Sequence, residues 1–361
     1  MLEQKNELNF EGRNIYVGID VHLRQWNVSI YVEELFHKTF QQPAEPMALS
    51  HYLRQNFPGG QYHSAYEAGF CGFWAHHKLK ELGIDNIVIH PADVPTTQKE
   101  KVQKTDAVDS RKIGRSLQKG ELKAIRVPTK ETYEDKSLLR ARKSLVKALS
   151  KSKNQVKSML YLFGIRMPER YMRTSAWTRN FSRWLKEEAI KGFSQESGRE
   201  SLLLTVEKVE RLRALLLRAN RDLRELEKSD LYRHRMELLR GIPGIGLITG
   251  LTFLLEIEDI GSFNDTDQLA GFAGLVPKCH GSGDEEGKGE MTFRGQNNLR
   301  IELIESSRIS VGRDPALGMA YLNYCKRMDA NKAIIRIARK LLNRIYYVLS
   351  KDRKYETCVV K

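Results

Sequence analysis

Residues 15–32 read IYVGIDVHLRQWNVSIYV, and this stretch decides the fold. Ile15–Ile19 is a short apolar run of strand type that stops at Asp20. After Val21–Gln25, Trp26–Val32 alternates like a second strand. Together they predict a β-hairpin with Asp20 near its turn. Outward from the hairpin, helix and strand patterns alternate. Helical spacing appears around Met47–Leu53. Tyr62–Tyr66 is strand-like and ends at Glu67. Phe73–Leu82 reads as a helix closed by Gly83, and Ile87–His90 as a strand stopped by Pro91. The next helix begins near Thr105 and carries Asp106 and Asp109, whose spacing puts them on one helix face. The pattern predicts an α/β domain over residues 1–125.

Four acids stand out in that block: Asp20, Glu67, Asp106 and Asp109. Two follow apolar strands, and strand ends are where α/β sheets bind ligands. Carboxylates are the oxygen ligands that Mg²⁺ prefers, and Mg²⁺ readily bridges them to phosphate. Two such ions about 4 Å apart stabilise both oxygens of a phosphoryl displacement. Any one of these acids, taken singly, also fits a solvated or capping residue. The ordered set is more specific. Val17-Gly18-Ile19-Asp20-Val21-His22, Tyr66-Glu67-Ala68-Gly69 and Lys104-Thr105-Asp106-Ala107-Val108-Asp109-Ser110-Arg111 together resemble the three acidic motifs of the DEDD-type insertion-sequence transposases, the "one-ten" and "eleven-eleven" group. The resemblance implies a ribonuclease-H-like (RuvC-like) catalytic domain. It also implies that Asp20, Glu67, Asp106 and Asp109 form a tetrad holding Mg²⁺ or Mn²⁺.

The charge balance agrees with a polyanionic partner. The 361 residues carry 60 Lys+Arg against 45 Asp+Glu, a formal net charge of +15. The excess is not spread evenly. Residues 1–120 are neutral, residues 121–240 carry +13, and residues 241–361 carry +2. A basic stripe of this size is the electrostatic footprint of nucleic-acid binding. Other classes are excluded or disfavoured. A hydrophobic content of 41% excludes wholesale disorder. No apolar run reaches the ~18 residues of a membrane span, so no membrane association is expected. The polar start MLEQKNELNFEGRN lacks a signal-peptide core. Cys71, Cys279, Cys325 and Cys358 form no CxxC pair, which argues against a zinc finger or disulfide scaffold. A prokaryotic cytoplasmic, nucleoid-associated location is the expectation.

Residues 126–235 form the basic block. Apolar residues recur at three- and four-residue steps through Leu138, Leu145, Leu149, Val156, Met159 or Leu160 and Phe163, with Lys143, Lys147 and Lys151 among the charges between them. A second heptad-like series runs through Val206, Val209, Leu212, Leu216, Leu223 and Leu226. The two predict long helices able to pair as an antiparallel coiled coil. Between them aromatics mix with basic residues, among them Tyr171, Trp177, Phe181, Trp184, Arg179 and Arg183. The block reads either as a solvated helical spacer or as a grip on nucleic-acid backbone, and its sign bias favours the latter.

Residues 236–361 hold the sharpest local motif. Leu238–Leu255 reads LLRGIPGIGLITGLTFLL, a helix end, a glycine turn and a second apolar helix. It resembles a helix–hairpin–helix. Gly244 and Gly246 would let backbone approach a phosphate, with N–H groups of the second helix facing the anion. A ligand-free helix–helix turn is the alternative. Downstream come His280-Gly281-Ser282-Gly283-Asp284, a glycine- and charge-rich loop, and Phe293-Arg294-Gly295-Gln296-Asn297-Asn298-Leu299-Arg300. Their order resembles the C-terminal serine domain of the same transposases, a mainly α domain. By that resemblance Ser282 is a nucleophile in a flexible loop, and Arg294, Asn298 and Arg300 are candidate phosphate contacts. His280 is close enough in sequence to serve as a base or phosphate contact, although a solvated loop histidine is the commoner case. The acidic run Asp284-Glu285-Glu286 departs from the family's usual basic run.

The family resemblance covers about residues 14 to 350. It implies a DNA transposase or recombinase that acts on element ends and target DNA through a covalent phosphoserine link. It implies a homo-oligomer, dimer or tetramer, whose active site joins the acidic domain of one protomer to the serine domain of another. It implies a structured noncoding guide RNA. The alternative is a RuvC-type Holliday-junction resolvase or metal-dependent nuclease that uses water and leaves Ser282 idle.

Overall fold

The computed structural model describes residues 9–95, 106–172, 177–282, 285–291 and 295–357; for 278–282 and 285–291 it describes the backbone. The chain divides into two compact units, Met1–Lys130 and Glu131–Lys361. From Glu131 on, the middle and last sequence blocks fall together in the second unit.

The first unit is built on the predicted hairpin. Strand β1 (Asn14–Val21) pairs antiparallel with β2 (Gln25–Val32), which pairs antiparallel with β3 (Leu35–Pro43). On its other side β1 pairs in parallel with β4 (Gln61–Glu67), and β4 in parallel with β5 (Asp85–Ile89). The order β3-β2-β1-β4-β5 is consistent with the ribonuclease-H-like expectation. The sequence pattern does not predict β3. Its residues LFHKTFQQP are mixed in polarity and mostly exposed, as suits an edge strand with little to bury.

Alternation along the strands sorts side chains to two faces. Ile15, Val17 and Ile19 of β1 and Trp26, Val28 and Ile30 of β2 bury against Leu49 and Leu53 of α1 (Pro46–Asn56) and Ala75 and Leu79 of α2 (Trp74–Glu81). The opposite face takes α3 (Asp106–Gln118), whose Ile113 packs with Ala65, Ile89 and Val94. Small residues let α3 lie close to the sheet. The Ser29 hydroxyl lies 2.9 Å from that of Ser110 and 2.7 Å from that of Thr39. A side chain on Gly18 would fall 2.1 Å from the Ser110 carbonyl oxygen and 2.2 Å from the Gly114 nitrogen. Gly18 is thus required by helix–sheet approach.

The second unit contains two hydrophobic cores. Helices α4 (Lys130–Leu162) and α7 (Glu196–Glu227) are the two long helices expected. Leu149, Val156 and Leu160 share one core with Leu202, Val206 and Val209. Further along, Arg142 Nε donates to Asn220 Oδ1 at 2.7 Å, so the helices run antiparallel. The short α5 (Glu169–Met172) and α6 (Arg179–Glu187) lie between them in sequence. The aromatics of this stretch are core residues: Trp177 and Phe181 are buried, and Tyr171 and Trp184 pack against them. They hold the stem's end together, while Arg179, Arg183 and Lys186 stay exposed.

The second core joins α8 (Arg233–Arg240), α9 (Leu247–Ile257), α10 (Thr266–Ala273), α11 (Asn297–Val311), α12 (Pro315–Cys325) and α13 (Ala330–Ser350). Leu239, Leu251, Leu269, Leu303, Leu317 and Leu341 are fully buried within it. Asp314 and Asp265 cap two of these helices, accepting from the backbone N–H of Leu317 and of Gln268. The stretch around Ser282 differs from the expected loop. Strands β6 (Pro277–Ser282) and β7 (Glu285–Met291) form an antiparallel hairpin, with Ser282 opposite Glu285 and His280 opposite Gly287. Its residues lack the apolar alternation that marks a half-buried strand, so the sequence alone reads as loop there. Among the described residues, no helix is long and apolar enough to cross a membrane.

Candidate active site

The parallel register of β1 and β4 sets two of the four acids side by side. Ile19 pairs with Tyr66, so Asp20 and Glu67 are next in line at the same sheet edge. Asp20 shares a strand face with Gly18, and Glu67 shares one with Ala65. Those are the residues that meet α3 through Ser110, Gly114 and Ile113. The N-terminal part of α3 therefore brings Asp106 and Asp109 to the same edge.

The four acids form two linked groups. In the first, His22 Nε2 lies 3.0 Å from Asp20 Oδ2 and 3.4 Å from Asp106 Oδ2. Ligand atoms of Asp20, His22 and Asp106 all fall within 4.8 Å of one another. In the second, Lys112 Nζ lies 3.1 Å from Asp109 Oδ1 and 3.9 Å from Glu67 Oε1. Electrostatics connects the groups. Burial pushes the Asp20 carboxyl above the usual carboxylate range, His22 opposes this, and the charges of Asp106 and Asp109 add to it. Repulsion among carboxylates, relieved by a cation, is the donor chemistry a divalent ion fits.

The sequence motifs do not single out His22 or Lys112 as members of the site. Each nonetheless has a signal. His22 follows Asp20 by two residues, just past the end of β1, close enough in the chain for its ring to reach that carboxylate. Lys112 follows Asp109 at the spacing of helix-face neighbours.

Two family models match the chain. A transposase model of the DEDD, IS110 type matches residues 17–164, which include all four acids. A second, the transposase IS116/IS110/IS902 family, matches residues 236–322, which include the glycine turn and Ser282. The chain belongs to the IS116/IS110/IS902 transposase family. It is 28% identical over 240 residues to putative transposase y4qE of Sinorhizobium fredii, 66% of this chain and 56% of that protein's length. It is 25% identical over 291 residues to the transposase for insertion sequence element IS1111A of Coxiella burnetii, covering 80% of this chain and 77% of that one. Over 130 residues it is 38% identical to the pilin gene-inverting protein of Moraxella bovis, 34% of this chain and 39% of that protein.

Within this transposase-family chain the expected nucleic-acid contacts separate into internal and exposed groups. Gly244 adopts φ +95°, and a side chain there would fall 2.2 Å from Ser310 Oγ and 2.6 Å from the Ser306 carbonyl oxygen. The turn between α8 and α9 is thus packed on α11, which accounts for this glycine without a ligand. Gly246 caps α9 and faces open space, the geometry a phosphate approach needs. Arg300 is 9% exposed and donates to the Gly274 carbonyl oxygen at 3.4 Å and to Asn297 Oδ1 at 2.9 Å. These bonds hold the guanidinium against the fold's interior. Lys143 donates to Asn298 Oδ1, tying α4 to α11. Lys147 and Lys151 are exposed. Arg294 and Asp284 lie outside the described residues, as do the side chains of Ser282 and His280.

Proposed function

We propose that this chain is the recombinase of its insertion sequence, cutting and rejoining DNA at an acidic metal site and through Ser282. The observation that carries the reading is the meeting of Asp20, Glu67, Asp106 and Asp109 at one sheet edge. Mg²⁺ or Mn²⁺ bound by these acids would neutralise the phosphate oxygens and polarise the phosphorus toward attack. Asp20, His22 and Asp106 are grouped closely enough to share one such ion. The carboxylates keep the site anionic until a cation binds, so the ion must be in place for a phosphodiester to approach.

Ser282 Oγ attacks the phosphorus and gives its proton to a base. An Oγ–P bond forms, the bond to the leaving sugar oxygen breaks, and that oxygen takes up a proton. A second sugar hydroxyl then displaces Oγ, resealing the DNA with no net water consumed. Gly246 and the exposed lysines of α4 hold backbone phosphates. A structured noncoding RNA guides the choice of donor and target, and the acting species is a homo-oligomer.

The test compares Ser282→Ala and Asp20→Ala on element-end DNA. Wild type should be trapped covalently, Ser282→Ala should neither cleave nor trap, and Asp20→Ala should do neither. Mixing the two variants should restore strand exchange if one protomer lends its serine to another's acids. Cleavage that survives Ser282→Ala would replace this reading with a water-using, RuvC-type nuclease. Sequencing nucleic acid that co-purifies with the protein tests the guide RNA.

A further inference from the structure

The second half of the acidic site already holds a cation. Lys112 is 8% exposed, and its ammonium lies 3.1 Å from Asp109 and 3.9 Å from Glu67. A buried ammonium is costly to desolvate unless charged partners surround it, and these two carboxylates are such partners. Asp20, His22 and Asp106 make a separate group in which, among the described residues, no lysine or arginine is paired with them. An ion bound between Glu67 and Asp109 would need oxygen ligands at roughly 2.0–2.1 Å. It would then sit against the Lys112 ammonium and repel it.

We propose that Lys112 is the built-in second cation of the site, so that the chain binds one divalent ion, at Asp20, His22 and Asp106. Lys112 is a positioning residue in this scheme. It holds Glu67 and Asp109 in place before any ion binds, and it supplies positive charge where a two-ion site has its second metal. The inference rests on the reading of the four acids as a metal site.

The experiment counts Mn²⁺ bound to the full-length protein by calorimetry and by electron paramagnetic resonance, without DNA. Wild type should bind one ion per chain. Lys112→Gln should bind two, and its metal-free form should melt at a lower temperature than wild type and recover on adding Mn²⁺. Lys112→Arg keeps the charge and should still bind one. Two coupled ions in wild type, or one in Lys112→Gln, would overturn the proposal while leaving the metal site intact. No ion in wild type would overturn the metal reading itself and this inference with it. If Lys112→Gln does not fold even with Mn²⁺, an Arg variant that binds two ions overturns the proposal and one that binds a single ion supports it.

Discussion

Gly18 of β1 and Gly114 of α3 meet backbone to backbone. A side chain on Gly18 would fall 2.2 Å from the Gly114 nitrogen, and one on Gly114 would fall 3.1 Å from the Gly18 nitrogen. The contact sits two residues from Asp20 and five from Asp109. It fixes how closely the helix bearing Asp106 and Asp109 approaches the strand bearing Asp20. The grouping of the four acids therefore depends on an approach that a side chain on Gly18 would block.

Gly18→Ala should push α3 off the sheet, because the blocking atoms are backbone and cannot rotate away. Overpacking of this kind costs about 3 kcal/mol. The first transition of thermal unfolding should drop, and Mn²⁺ affinity should fall with it. An unchanged melting curve would mean that α3 packs elsewhere.

Asp20 provides a pH test. Its carboxyl is raised above the ordinary aspartate value, first by burial and then by the charges of Asp106 and Asp109. The folded state therefore holds the proton more tightly than the unfolded chain. Stability from this group is fully present below the unfolded value and is lost as pH rises through the raised one. Asp20→Asn removes that loss. Metal-free Asp20→Asn should melt above wild type at neutral pH and level with it at acid pH. Saturating Mn²⁺ should reverse the order at neutral pH. A metal-free variant that melts below wild type at neutral pH would contradict the cost of burying this charge beside Asp106 and Asp109.

The sheet and the four acids are legible in the sequence because they rest on strong local signals. Ile15–Ile19 and Trp26–Val32 carry apolar runs or alternation, and Asp20 and Glu67 end such runs. The rest depends on neighbours distant in sequence. β3 is amphipathic on neither face, so only its pairing with β2 reveals it. The β6–β7 hairpin is rich in glycine and charge, which reads as loop. Arg300 lies in a motif that reads as phosphate binding, and its hydrogen bond to the Gly274 carbonyl, far back in the chain, is not visible in that motif. Lys112 looks like one more basic helix residue until Glu67 is seen opposite it. Periodicity reports which face a residue occupies; it does not report what waits there.

The two glycines of the α8–α9 turn should respond differently. Gly244→Ala combines φ +95° with a clash against Ser306 and Ser310, and should cost about 2 kcal/mol or more. Gly246 has ordinary φ −107° and open space around it. Gly246→Ala should change stability by no more than ~1 kcal/mol. If the turn takes a phosphate, Gly246→Ala should still weaken binding to duplex DNA. Equal DNA affinity for wild type and Gly246→Ala would leave the turn as a structural corner alone.

The +13 charge of residues 121–240 calls for a test that separates grip from packing. Lys143 is unsuited to it, since its ammonium bonds Asn298 and its removal disturbs the α4–α11 packing. Lys147 and Lys151 are exposed on the same helix, with no ion-pair partner among the described residues. Lys147→Glu with Lys151→Glu should leave thermal unfolding nearly unchanged. If both lysines touch phosphates, each phosphate no longer neutralised takes ~0.9 from the slope of log affinity against log salt. The double variant should therefore bind nucleic acid more weakly, with a slope shallower by ~2. A uniform drop in affinity with the slope intact would assign the effect to conformation. Unchanged affinity would make this helix face a solvated surface, and would leave the backbone grip to the exposed Arg179, Arg183 and Lys186 of α6.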